Sequence, residues 1–85
     1  MKQFVFPALF EKEDESNEYC VTFPDIKGCV TFGTSLEDAF NMATEALTGH
    51  LGVMIEYNDE IPNPSEISQL NHNADGYYVL IKVVI

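Results

Sequence analysis

The sequence predicts an α+β domain in the order β-β-β-α-β, a mixed sheet with one helix packed across it. Three observations predict it. Two short runs of alternating apolar residues flank Pro24-Asp25-Ile26-Lys27-Gly28, as a hairpin requires. Apolar residues then recur at helical spacing from Leu36 to Met54. The final run, Tyr77 to Ile85, is apolar on one face and nearly so on the other, which suits a strand beside the centre of a sheet.

The first strand is Gln3 to Phe10, rich in Phe and Val and apolar on both faces, as a central strand would be. Glu11 to Asn17 is a polar connection. Glu18 to Phe23 is the second strand, and Val30 and Phe32 mark the third. A four-residue loop, Asp25 to Gly28, joins them, with Gly28 available for positive φ. That loop sets Phe23 opposite Val30, Val21 opposite Phe32 and Cys20 opposite Gly33, so the large apolar residues share a face.

The helix begins after Gly33. Thr34 with Glu37 fits a capping box, and Ser35 with Asp38 fits the same pattern one residue on. Leu36, Ala39, Phe40, Ala43, Ala46, Leu47, His50, Leu51 and Met54 form the apolar stripe. Gly49 and Gly52 weaken its second half by up to about 1 kcal/mol each, so the helix is expected to bend or end between Gly49 and Tyr57. Ile61 to Ile67 is punctuated by prolines, and Ser65 could cap a single helical turn there. Asp75-Gly76 turns the chain into the last strand. A crossover through the helix returns that strand beside the sheet. The chain stops on Ile85 in mid-pattern, which leads us to expect further sequence downstream.

The cysteines read as small packing residues. In the predicted register Cys20 and Cys29 lie four pairs apart, on the order of 13 Å. A disulfide needs Cα atoms within about 7 Å. No CxxC or HxxxH spacing suggests zinc, and no cofactor is implied. His50 falls on the apolar stripe and reads as a half-buried structural residue; His72 lies in a polar loop and reads as exposed.

Composition bounds the function. At 85 residues and 46% hydrophobic, the chain is one globular domain. Fourteen acids against four lysines, and no arginine, give a net charge of −10. That argues against direct contact with nucleic acid, which needs cations to neutralise phosphates, and against anionic membranes. It favours a basic partner. No apolar run reaches the roughly 20 residues of a membrane span, and the start does not read as an export signal. The expected location is a reducing cytoplasm.

The run EYCVTFPDIKGCVTFGTSLEDAFNMATEAL resembles the N-terminal, toxin-binding domain of HicB-like antitoxins. Those domains typically carry an aromatic before the second strand, then FPD-x-x-GC, a strand, G-[DT]-T-x-E-E-A and an alanine-rich helix. FPALFEKEDE is similar to the family's first strand and acidic turn, and IPNPSE to its proline segment. The likeness covers nearly all of the chain. It implies a degraded ribonuclease-H-like fold and a partner: a HicA toxin, small, basic and RNA-cleaving through a histidine. Most members also carry a C-terminal DNA-binding segment, and no such segment is legible in residues 1–85.

An active ribonuclease-H site needs carboxylates converging on two metal ions, one of them on the first strand. Residues 4 to 10 contain none, and the adjacent pair Glu37-Asp38 diverges around a helix. We therefore expect no enzyme. Two function classes remain. One is an antitoxin that occludes the toxin's active site, with Glu11, Glu13, Asp14, Glu15 and Glu18, Asp25 in the hairpin loop, and Glu37 and Asp38 at the helix start meeting the basic surface. The other is a stand-alone interaction or regulatory domain of the same fold, binding another protein or a small ligand. A homodimer is expected to cover the sheet face that one helix leaves open.

Overall fold

The computed structural model describes residues 1–70 and 76–85. Strand β1 (Gln3–Lys12) is followed by β2 (Tyr19–Thr22), β3 (Val30–Gly33), helix α1 (Leu36–Glu56), a 3-10 turn (Ile67–Gln69) and β4 (Gly76–Val84). The sheet order is β3-β2-β1-β4, which places β1 centrally, as its two apolar faces require. His72 and the Asp75 half of the last turn lie outside the described residues.

The order of elements is the predicted one, but every strand pair is antiparallel, so the sheet is not mixed. The cause is the connection after α1. Had β4 followed the helix directly, it would have run parallel to β1. Instead the chain leaves the helix at the far end of the sheet, where Ile61 to Pro64 lie beside Lys2 to Phe6. Pro64 to Ile67 then share a cavity with Val5 and Leu80 on the face away from the helix. The chain re-enters the sheet opposite Glu11, at the end where it had left. β4 pairs with β1 from Glu11↔Gly76 to Gln3↔Val84, and Lys2 and Ile85 exchange both backbone hydrogen bonds (2.7 and 2.8 Å).

That alternation explains Pro7 inside a central strand. Residue 2 bonds toward β4, so even-numbered residues of β1 do, and odd-numbered ones face β2, as the Glu13 N–H to Glu18 carbonyl bond confirms (2.9 Å). Pro7 therefore lacks an N–H only on the side where β2 has already ended at Thr22, paired with Leu9.

The hairpin register is one residue from the predicted one. Cys20 faces Phe32, Val21 faces Thr31, and Phe23 N–H donates to the Cys29 carbonyl (3.0 Å). The loop has one more residue, Pro24 to Gly28, with Gly28 at φ +80°. Ile26 and Cys29 fill the core in place of Val30 and Phe32, which are 48% and 65% exposed on the opposite face. Burying Ile26 folds the loop inward, through Ile26 N–H to the Phe23 carbonyl and Cys29 N–H to the Ile26 carbonyl (3.2 and 3.1 Å). Cys20 and Cys29 thus point to opposite faces and remain free thiols.

Helix α1 runs unbroken for 21 residues, through both glycines. Leu47 and Leu51, fully buried around Gly49, hold it against the sheet. Ser35 is the N-cap: its hydroxyl accepts the Asp38 N–H (3.1 Å), and the Asp38 carboxylate accepts the Thr34 N–H (2.9 Å). The second of the two capping patterns is therefore the one formed. Asn58, at φ +56°, ends the helix with paired bonds from Asn58 N–H to the Ile55 carbonyl and Asp59 N–H to the Met54 carbonyl. The core joins Phe6, Ala8, Phe10, Val21, Phe23, Ile81 and Val83 of the sheet side to Ala39, Ala43, Leu47 and Leu51 of the helix. Small residues set the approach: a Cβ on Gly33 would collide with the backbone of Ala39.

Candidate partner-binding site

Register places the β1–β2 turn, the start of α1 and the start of β4 at one end of the sheet, through Lys12↔Tyr19, Tyr19↔Gly33 and Glu11↔Gly76. Glu11, Glu13, Asp14, Glu15, Glu18, Glu37 and Asp38 therefore gather there. The turn is closed by Glu13 N–H to the Glu18 carbonyl and Glu18 N–H to the Ser16 hydroxyl (3.2 Å). Glu13, Asp14, Glu15 and Glu18 line a shallow concavity of about 440 Å³. Asp38 is engaged in the helix cap, whereas Glu37 borders the groove described next.

Asp25 is placed elsewhere. It sits in the hairpin loop at the opposite end, half-buried, and accepts the Ser65 N–H (2.8 Å) and the Ser65 hydroxyl (2.6 Å). Ser65 is thus a tether across the fold and not the cap of the 3-10 turn, whose N-cap is Glu66.

Beside the acidic end lies a feature that the helical stripe concealed. Leu36 and Phe40 share the apolar stripe with Ala39 and Ala43, yet they are 48% and 45% exposed. The alanines take the sheet-facing positions, so the larger residues project over the flank toward β4. With Phe10, Tyr77 and Val79 they form an apolar groove of about 540 Å³, rimmed by Glu37 and Asn41. The Phe10 ring stacks on Tyr77 (6.0 Å) and meets Tyr19 edge-on (6.4 Å). Burial, then the hydrogen bond and charge of Tyr19, push the Tyr77 phenol above its usual pKa. The sequence signal for this groove was the size contrast between Ala39/Ala43 and Leu36/Phe40.

Among the described residues no group of three or more His, Cys, Asp or Glu is placed to hold a metal ion, and no helix is long and apolar enough to cross a membrane. His50 is half-buried on α1.

A family model for the HicB-like antitoxin of bacterial toxin–antitoxin systems matches residues 6–85. Antitoxin HicB 1 of Photorhabdus laumondii is 35% identical over 69 residues, 81% of this chain and 44% of that protein. The chain spans about half the length of the curated relatives it matches, between 44% and 59%. Among solved structures, the N-terminal domain of Burkholderia pseudomallei antitoxin HicB is 29% identical, with a TM-score of 0.81 over 96% of this chain and 100% of that one. A chain of a toxin–antitoxin complex from Streptococcus pneumoniae is 25% identical, with a TM-score of 0.85 over 98% of this chain and 70% of that one. A family match over nearly the whole length, on a four-stranded antiparallel sheet crossed by one helix that these antitoxins share, means that the chain belongs to the HicB-like antitoxin family.

Proposed function

We propose that this chain neutralises a small basic RNA-cleaving toxin of the HicA type by binding it and occluding its active site. The observation that carries the reading is the gathering of Glu11, Glu13, Asp14, Glu15, Glu18 and Glu37 at one end of a chain of net charge −10, beside an apolar groove. The acids steer and register a cationic surface, and apolar contacts hold it. Asp25 and Asp38 serve the antitoxin's own fold through Ser65 and Thr34. Residues 1–85 form the toxin-binding unit on a degraded ribonuclease-H-like scaffold. They perform no chemistry and make no contact with nucleic acid, because their charge repels phosphates. The site of action is the cytoplasm, where the toxin's RNA is. The unit is a homodimer, joined through the sheet face that the helix leaves open.

Co-expression with the basic protein of the adjacent reading frame tests this. Rescue of growth and co-purification in low salt are expected. A toxic neighbour that is neither bound nor relieved would turn the assignment to the stand-alone interaction domain.

A further inference from the structure

We infer that the groove between α1 and β4 is the anchor pocket of the toxin interface, and that it receives a large apolar side chain carried on a cationic segment of the toxin, next to a lysine or arginine that meets Glu37. The inference rests on the toxin-binding reading and gives it a place on the molecule.

Single exposed apolar residues are ordinary on a protein surface. These are not single: Leu36 and Phe40 stand one helical turn apart, and Tyr77 faces them across a floor of Phe10 and Val79. Rigidity suits an anchor site. Phe10 is fully buried and stacked on Tyr77, and Leu36 and Phe40 sit in the first two turns of a capped helix. The groove has room for a large aliphatic or aromatic side chain. It is a poor site for a small polar ligand, which needs several converging donors and acceptors. Among the described residues, polar groups occur here only at the rim, as Glu37 and Asn41.

Charge complementarity selects the occupant. Glu37 lies on the groove wall, and Tyr77↔Phe10 is one pair inside Glu11↔Gly76, so the groove opens at the acidic end. An approaching segment must bring cations to that rim while it buries its apolar side chain. A second copy of this chain, at −10, brings almost none.

The test measures binding to the purified toxin of the adjacent reading frame, with its catalytic histidine substituted. Phe40→Asp and Leu36→Ala should weaken binding by roughly ten- to a hundredfold, the loss of one well-buried side chain. Glu37→Gln should weaken it several-fold in low salt and little in high salt. Val53→Ser, exposed near the other end of the helix, should leave it unchanged. The chain has no tryptophan, so Phe40→Trp is a single reporter, and its emission should shift to shorter wavelength when toxin is added. Full affinity in Phe40→Asp with an intact melting transition, or a loss confined to Val53→Ser, would overturn the assignment of the groove while leaving toxin binding in place. If the unsubstituted protein fails to bind the toxin, the toxin reading falls and the groove's occupant falls with it.

Discussion

Removing the Asp25 carboxylate should loosen the connection that carries the chain around the end of the sheet. The carboxylate accepts two hydrogen bonds from Ser65, one from its backbone N–H and one from its hydroxyl. A hydrogen bond to a charged group contributes about 1.5–3 kcal/mol when buried. This pair is half-buried, and Ser65 can recover water once released, so the two together are worth about 2 kcal/mol for Asp25→Ala. Ser65→Ala removes the hydroxyl and keeps the N–H, so it should cost about 1 kcal/mol by the same measure. For a domain of this size those losses lower Tm by roughly 8–16 °C and 4–8 °C. The double variant should melt close to Asp25→Ala alone, a coupling of about 1 kcal/mol. Binding of a hydrophobic dye should rise as well, because Pro64 and Ile67 would leave Val5 and Leu80. Thermal melts of the four proteins read all of this. Strict additivity of the two substitutions, or a loss below about 0.5 kcal/mol for Asp25→Ala, would refute the tether.

Gly33→Ala should destabilise by about 3 kcal/mol, at the upper end of overpacking costs, because the new methyl meets helix backbone and not a movable side chain; urea denaturation checks it. Burial pushes the Cys29 thiol up to about 11 from 9.0, so iodoacetamide at pH 8 should add one label, at Cys20, in the native protein. The raised value also means that the native state holds this proton more tightly than the unfolded chain does. Stability should thus be indifferent to Cys29 below pH 9 and decline from there to about pH 11, a decline that Cys29→Ala should remove. Neutralising Glu13, Asp14, Glu15 and Glu18 together should slow toxin association most at low ionic strength, read by stopped flow. The proposed homodimer should tighten with salt as the toxin complex weakens. Sedimentation at micromolar concentration and two salt levels would show this, and Phe32→Ser with Val30→Ser should release monomers.

The strands and the helix were legible because their signals are local. Alternation around the hairpin, the alanine-rich stripe and the doubly apolar β4 each follow from neighbours in sequence. The hairpin register was not, because two solutions compete and their difference is tertiary. Pairing Phe23 with Val30 puts the larger residues together; pairing it with Cys29 lets Ile26 and Cys29 enter a core of fixed depth. The antiparallel sense of β4 likewise depends on where residues 57–70 travel, which no periodicity records. Gly49 and Gly52 count against a helix locally, and the burial of Leu47 and Leu51 outweighs them. Acids were legible as a group, but sorting them took the fold. Asp25 and Asp38 hold Ser65 and Thr34, and among the acids of the described residues only Glu37 reaches the groove.

The pairing of β1 with β4 has a consequence in time. Strand β1 has its longest partner in β4, with residue 2 bonded to residue 85. Such long-range contacts close a large loop and form slowly. Until Tyr77 and Val79 have emerged from the ribosome, one wall of the groove does not exist, and neither does the cover over Phe10. A nascent chain cut short between residues 41 and 76 therefore carries every acid of the β1–β2 turn and the helix start but lacks the β4 wall of the groove. Synthesis runs at about 5–20 residues per second, so the interval between displaying charge and acquiring grip is a matter of seconds, and truncated products left by stalled translation would attract a basic partner without retaining it.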